Sequence, residues 1–128
     1  TIHPFAVWKE DAKVRFHIEG HSSYINGLQS PCLVNDNILP TKDFTIEVEA
    51  RTFDHFDDGT IDVIDIDIEG AAWYVIENMK SRPKAIFIEM EWDRYRNPFY
   101  KDIQKWMKDN YYYKADVCGA SHCYMRLI

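Results

Sequence analysis

The stretch Ile61-Asp62-Val63-Ile64-Asp65-Ile66-Asp67-Ile68-Glu69-Gly70 decides the fold. Its closely spaced isoleucine and valine residues predict a β-strand over Ile61 to Ile68, ended by Glu69-Gly70. Because alternate residues of a strand share a face, Asp65, Asp67 and Glu69 are predicted on one face and isoleucines on the other. Carboxylates resist burial. They indicate either a ligand crevice at the carboxyl end of a parallel strand or a solvated acidic edge, and the pattern leaves both open.

Helices and strands alternate after this stretch. Apolar residues at helical spacing predict a short helix from Ala72 to Met79, which Pro83 prevents from continuing. Asn97-Pro98 is a typical helix start and predicts a second helix to Asp109. Three further strands are predicted: Ala85 to Trp92, Tyr111 to Cys118, and Cys123 to Ile128. This order predicts an α/β fold, a Rossmann-like and mainly parallel sheet that ends in an antiparallel hairpin.

The first third of the chain is less regular. Strands are predicted over Ile2 to Lys9, Val14 to Glu19 and Phe44 to Thr52, and a loop over His21 to Pro40. A length of 128 residues fits one domain. We therefore expect a single domain over 1–128, with irregular strands and a loop in residues 1–43.

Composition excludes several classes of protein. A chain that is 46% hydrophobic with a net charge of −6 is not disordered, and without a basic stripe we expect no nucleic acid as partner. No apolar run approaches the ~20 residues that cross a bilayer, so we expect no membrane contact. Three widely spaced cysteines, Cys32, Cys118 and Cys123, do not make a disulfide framework and favour a reducing, cytoplasmic setting.

Further acidic residues end the next predicted strand, at Glu89 and Glu91. If this strand neighbours the first, Asp67, Glu69 and Glu89 converge, and their repulsion should raise the pKa of at least one carboxyl group. Such a group suits general-base chemistry. The alternative is a solvated acidic rim. Trp73, on the helix face opposite Val75, is either a ligand-stacking residue or packed against a loop.

The spacing of these motifs is similar to that of FkbM methyltransferases. Asp67-Ile68-Glu69-Gly70, a short helix and Ile86-Phe87-Ile88-Glu89 resemble the family signature, a strand reading Lys-Ile-Asp-Val-Glu-Gly, a helix, and a strand that ends in Glu. Val48-Glu49-Ala50-Arg51-Thr52-Phe53-Asp54 resembles the family's lead-in, and Asn110-Tyr111 stands at the usual Gly-Tyr. These matches run from about Phe44 to the end, which corresponds to the C-terminal half of the family.

The resemblance implies an enzyme that transfers a methyl group from S-adenosylmethionine to a hydroxyl of a sugar or small natural product. It implies that Asp67 positions or deprotonates the acceptor hydroxyl. Glu69 would fix the helix start or contact the acceptor, and Glu89 would line the acceptor side. Trp73 and Glu91 are further candidates for binding this small-molecule acceptor.

The chain also departs from the family pattern. Asp65 stands where the family has lysine, Ala72 stands where an acidic residue is frequent, and the chain contains no Gly-x-Gly for a cofactor loop. We therefore expect a fragment, a chain completed by another polypeptide, or a degenerate relative. Without the family's first strands, the edge of the strand at Ile61 to Ile68 would be open unless the N-terminal strands or a partner cover it, and an open edge predicts self-association.

Two other functions fit the same residues. Asp65-x-Asp67 resembles the metal-holding pair of nucleotide-sugar glycosyltransferases, and hard carboxylates suit Mg²⁺ or Mn²⁺. The third hypothesis is a non-catalytic interaction module that keeps the fold and binds neither ligand.

Overall fold

The computed structural model describes residues 1–18, 23–28 and 45–128. Within these residues, the N-terminal part forms a four-stranded sheet. Its strands, in the spatial order β1-β4-β2-β3, are β1 (Ala6–Val7), β2 (Ala12–His17), β3 (Tyr24–Ile25) and β4 (Thr45–Arg51). β2 runs antiparallel to β3 and β4, whereas β1 runs parallel to β4.

A small core holds this first sheet together. Val14, Ile25 and Ala50 are buried together. Lys13, which directly precedes Val14, lies on the exposed face of β2 and pairs with Glu47 of β4 at 3.4 Å. This alternation is the reason why the segment forms a strand with one apolar face.

The strand predicted over Ile2 to Lys9 and the loop predicted over His21 to Pro40 both need correction. The strand predicted over Ile2 to Lys9 is reduced to the two residues of β1, and β3 lies inside the segment predicted as a loop. The remaining loop residues, at 21–22 and 29–40, lie outside the described residues. Cys32 lies there too, whereas Cys118 and Cys123 are both free thiols.

A buried carboxylate fixes the connection between the two sheets. After β4, one 3-10 turn (Phe53–His55) leads to Asp57, which is only 1% exposed. The carboxylate of Asp57 accepts hydrogen bonds from the backbone N–H groups of Gly59 (2.8 Å) and Ser81 (2.7 Å), and from the Ser81 hydroxyl. These bonds hold the start of the second sheet against the segment that precedes its second strand.

The second sheet has four strands in the spatial order β5-β6-β10-β9. They are β5 (Val63–Ile66), β6 (Ala85–Glu89), β9 (Tyr112–Cys118) and β10 (Ser121–Arg126). β5 and β6 are parallel, as predicted, and β9 and β10 form the predicted antiparallel hairpin. The returning strand β10 lies between β6 and β9 and is antiparallel to both. The prediction of a mainly parallel Rossmann-like sheet is therefore not confirmed, because the sheet is mixed.

Two helices cover one face of this sheet. They are α1 (Ala72–Ile76) and α2 (Tyr100–Asp109). Their buried residues join those of the strands in one core, which includes Ile66, Ile76, Ile86, Ile103 and Tyr124. The opposite face carries exposed apolar side chains, among them Val63 (59% exposed) and Phe87 (37% exposed).

The predicted strand from Ala85 to Trp92 is divided in the structure. β6 ends at Glu89, and a separate two-stranded ribbon follows, made of β7 (Glu91–Trp92) and β8 (Tyr95–Arg96). Asn97, 2% exposed, then donates to the backbone carbonyl of Glu89 (3.3 Å) and accepts from the backbone N–H of Phe99 (3.0 Å). Asn97 thereby ties the end of β6 to the start of the second helix.

β5 forms one edge of its sheet, since β6 is its single strand neighbour among the described residues. This is the open edge expected from the sequence. Self-association or a partner at this edge stays a prediction. Within the described part of the chain, no helix has the length and apolar character needed to cross a membrane.

Candidate functional site

The chain turns sharply at the end of β5. The strand ends at Ile66, two residues earlier than predicted, and Glu69 and Gly70 follow with positive φ values of 47° and 88°. A left-handed conformation is uncommon for a residue other than glycine. The prediction that Glu69 continues the strand face of Asp65 is therefore wrong. The turn takes the Glu69 side chain out of the strand's alternation.

Three carboxylates meet at this turn. One oxygen each from Asp67, Glu69 and Glu89 lies within 4.8 Å of the others. They meet because β5 and β6 are parallel neighbours with Ile66 opposite Ile88, which places the following residues, Asp67 and Glu89, side by side. Asp67 is exposed, whereas Glu69 and Glu89 are partly buried. We call this group the acidic cluster. Its convergence agrees with the sequence expectation, and the roles of its members stay predictions.

The surroundings of Glu89 change its acid–base chemistry. Burial, and then the negative charges of Glu69 and Asp67, raise its pKa to about 7. The sequence led us to expect repulsion as the cause, but burial is the larger contribution. A carboxyl group with this pKa exchanges a proton near neutral pH, as a general acid or base requires.

A tyrosine hydroxyl completes the surroundings of the acidic cluster. Tyr95 of β8 is 2% exposed, and its hydroxyl has no hydrogen-bond partner among the described residues. Burial raises the pKa of Tyr95, and the charges of Glu89 and Glu69 raise it further, so the hydroxyl lies near both carboxylates. Sequence reasoning missed Tyr95, because nothing in the local pattern indicates that the ribbon folds back over the end of β6.

Two other candidate residues lie outside the acidic cluster. Glu91 forms an ion pair with Arg96 at 3.2 Å, and its carboxylate lies 3.7 Å from Nε2 of the buried His122. Trp73 stacks on Phe99 with a ring-centroid distance of 6.5 Å and lines a separate depression of about 130 Å³. The structure therefore brings neither side chain into the group formed by Asp67, Glu69 and Glu89.

Asp65 is exposed and is likewise not part of the acidic cluster. Its backbone is paired in register with Phe87 on β6. The metal-holding pair expected from Asp65-x-Asp67 thus gains no support from the position of these residues.

A cavity of about 360 Å³ adjoins the acidic cluster. Asp67 and Glu69 form part of its wall, and the N-terminal part of the chain supplies the aromatic side chains of Phe5, Phe16 and Tyr24. Apolar walls with a few convergent polar groups are typical of small-molecule sites. The two sheets of the chain therefore meet at a cavity with carboxylates in its wall.

Comparison with protein-family models identifies the family of this chain. The model of the methyltransferase FkbM domain matches residues 1–114 of the 128-residue chain. This range includes the first sheet, the acidic cluster and both helices. Neither the curated proteins nor the solved structures include a match. Since the match covers most of its length, the chain belongs to the FkbM methyltransferase domain family.

Proposed function

We propose that this chain forms the acceptor side of a methyltransferase that methylates a hydroxyl of a sugar or small natural product with S-adenosylmethionine as donor. One observation carries the proposal: in a member of the FkbM family, three carboxylates converge at the carboxyl ends of two neighbouring parallel strands. Open α/β sheets bind their ligands at this position.

The acidic cluster has the chemistry that a hydroxyl acceptor needs. A hydroxyl is a weak nucleophile and gains reactivity when a base accepts its proton in the transition state. Asp67 is exposed and borders the cavity, and both properties support a role in contacting the acceptor. Ionised carboxylates also accept hydrogen bonds from several hydroxyls at once, a property that favours polyhydroxylated molecules.

Glu69 and Glu89 have supporting roles in this proposal. Glu69 borders the same cavity as Asp67, so its carboxylate would contact the acceptor. Glu89 is partly buried, and with a pKa of about 7 it would take up or release a proton at neutral pH. A proton leaving the acceptor hydroxyl would thus remain within the cluster.

The described residues do not make a complete site for the cofactor, which would supply an activated methyl group. The chain contains no Gly-x-Gly, the pattern of a loop that lets the backbone approach such a ligand closely. β5 is an edge strand, so within the described residues no strand beside it carries a cofactor loop. We assign the acidic cluster to the acceptor and none of the described residues to the cofactor.

The test is acceptor binding without cofactor, followed through the amide resonances of the isotopically labelled chain with a panel of sugars and phenols. We expect shifts at residues 67, 69 and 89 with at least one hydroxylated ligand. They should be lost in Asp67→Asn and kept in Asp65→Asn, which changes an exposed carboxylate outside the cluster. A panel without any response, or one to which the two variants respond alike, would contradict the proposal.

A second measurement examines the cofactor. Thermal melting with S-adenosylmethionine or S-adenosylhomocysteine should leave the melting temperature unchanged. A ligand at one hundred times its Kd stabilises a fold by about 2.7 kcal/mol, which is easily detected in a domain of this size. A clear upward shift would show that the chain builds a cofactor site, and our restriction to the acceptor would be wrong.

A further inference from the structure

The acidic cluster has no cationic partner for two of its members. Among the described residues, neither Asp67 nor Glu89 forms an ion pair with lysine, arginine or histidine. Like charges at this distance repel, and the partial burial of Glu89 weakens the screening by water. A positive charge in their midst would therefore be strongly favoured.

Two buried polar atoms at the same place also lack partners. The Oε2 atom of Glu89 and the hydroxyl of Tyr95 are both inaccessible to solvent and make no hydrogen bond within the described part of the chain. Tyr95 as a whole is 2% exposed. Leaving such groups unsatisfied is unfavourable, and buried unsatisfied groups in native proteins frequently mark an ion or a water.

The distances suit an ion bound to oxygen. Ca²⁺ binds oxygen at about 2.3–2.6 Å, so two ligands on opposite sides lie roughly 5 Å apart. One oxygen from each carboxylate lies within 4.8 Å of the others, so all three can reach one such ion. Mn²⁺ forms somewhat shorter bonds and would need the side chains to move inwards by a fraction of an ångström.

We propose that Asp67, Glu69 and Glu89 bind a hard divalent cation, Ca²⁺ or Mn²⁺, with the Tyr95 hydroxyl as a neutral oxygen ligand or as a donor to ion-bound water. Carboxylate and hydroxyl oxygens without nitrogen or sulfur favour these ions over Zn²⁺. The site differs from the Asp65-x-Asp67 pair, since it joins the end of β5 to the end of β6. It does not depend on methyl transfer, because ion binding alone is measured.

The experiment is thermal melting of the chelator-treated chain, with CaCl₂ or MnCl₂ added against NaCl of the same ionic strength. At one hundred times its Kd, either ion should raise the melting temperature by roughly 10 °C. The rise should be lost in Glu89→Gln and reduced in Tyr95→Phe. Asp65→Asn is the matched control and should respond like the wild type. A rise equal to that with NaCl, or one that Glu89→Gln retains, would overturn the proposal.

A spectroscopic measurement tests the same site without heating. The electron paramagnetic resonance signal of free Mn²⁺ should decrease as the wild-type chain is added, with a stoichiometry of one ion per chain. At the same protein concentration, the decrease in the free Mn²⁺ signal caused by Glu89→Gln should be at least tenfold smaller than that caused by the wild type. An undiminished signal with the wild-type chain would show that the acidic cluster holds no ion.

Discussion

Replacing Glu89 by glutamine should stabilise the metal-free protein at alkaline pH, although it removes a candidate site residue. Glutamine keeps the size of the side chain and removes a charge that is partly buried beside two other carboxylates. The pKa of Glu89 lies at about 7 instead of 4.5. Each pKa unit corresponds to 1.36 kcal/mol, so the ionised carboxylate costs the fold about 3 kcal/mol.

The sign of the effect gives it a characteristic pH dependence. A carboxyl group whose pKa is raised by folding binds its proton more tightly in the native state than in the unfolded chain. It therefore destabilises the protein only at pH values at which the carboxyl group of the unfolded chain is ionised. The advantage of Glu89→Gln should be absent below about pH 4.5, grow as the pH rises through about 7, and remain constant above that.

The assay is thermal or urea unfolding of both proteins from about pH 4 to 8.5 in the presence of a chelator. At about pH 8 the variant should melt roughly 10 °C higher. Asp65→Asn removes an exposed carboxylate of the same sheet and should change the free energy of unfolding by less than about 0.5 kcal/mol. An equal advantage at pH 5 and pH 8, or none at pH 8, would refute the reasoning.

Three further changes examine the fold. Asp57→Ala removes an acceptor for three hydrogen bonds and should lower the free energy of unfolding by about 3 kcal/mol. Asp58→Ala, at the exposed neighbouring residue, should have little effect. Urea unfolding measures both changes. Ile103→Ala leaves a cavity in the core and should cost about 2–5 kcal/mol by the same assay. Burial lowers the pKa of His122, so this histidine should make an increasingly unfavourable contribution to stability below about pH 6.5, and His122→Gln should gain stability relative to the wild type over that range.

The apolar pattern predicted both helices of the second half, although α1 ends at Ile76 and not at the predicted Met79. The four apolar residues of the first predicted helix, Ala72, Val75, Ile76 and Met79, are all buried. α2 lies within the segment predicted from Asn97 to Asp109. These predictions succeed because one buried face repeats at the helical period and needs no knowledge of distant residues.

The arrangement of the strands depends on contacts distant in sequence. Nothing in the composition of β10 shows that it inserts between β6 and β9, since a hairpin strand can pair on one side or on both. The prediction of a mainly parallel sheet that ends in an antiparallel hairpin gave no spatial order for the two hairpin strands. The sheet is mixed because β10 lies between β6 and β9 and is antiparallel to both.

The candidate site was predicted in part. The proximity of Asp67 and Glu89 follows from one correct assumption, that β5 and β6 are parallel neighbours. The position of Glu69 could not be derived, because its positive φ breaks the alternation on which the prediction rested. Tyr95 belongs to a two-stranded ribbon whose sequence has no distinguishing pattern. Its buried position depends on residues distant in sequence and could not be predicted.

The place of β10 has a consequence for how the chain is made and handled. The second sheet cannot form completely until β10 has been synthesised, because β10 supplies the hydrogen bonds that join β6 to β9. β10 also contributes the buried side chains of Tyr124 and His122. During synthesis, the backbone groups of β6 that pair with β10 therefore stay unpaired until almost forty further residues have left the ribosome. A recombinant piece cut at residue 114, where the family match ends, would lose the middle of its sheet and should be recovered as aggregate.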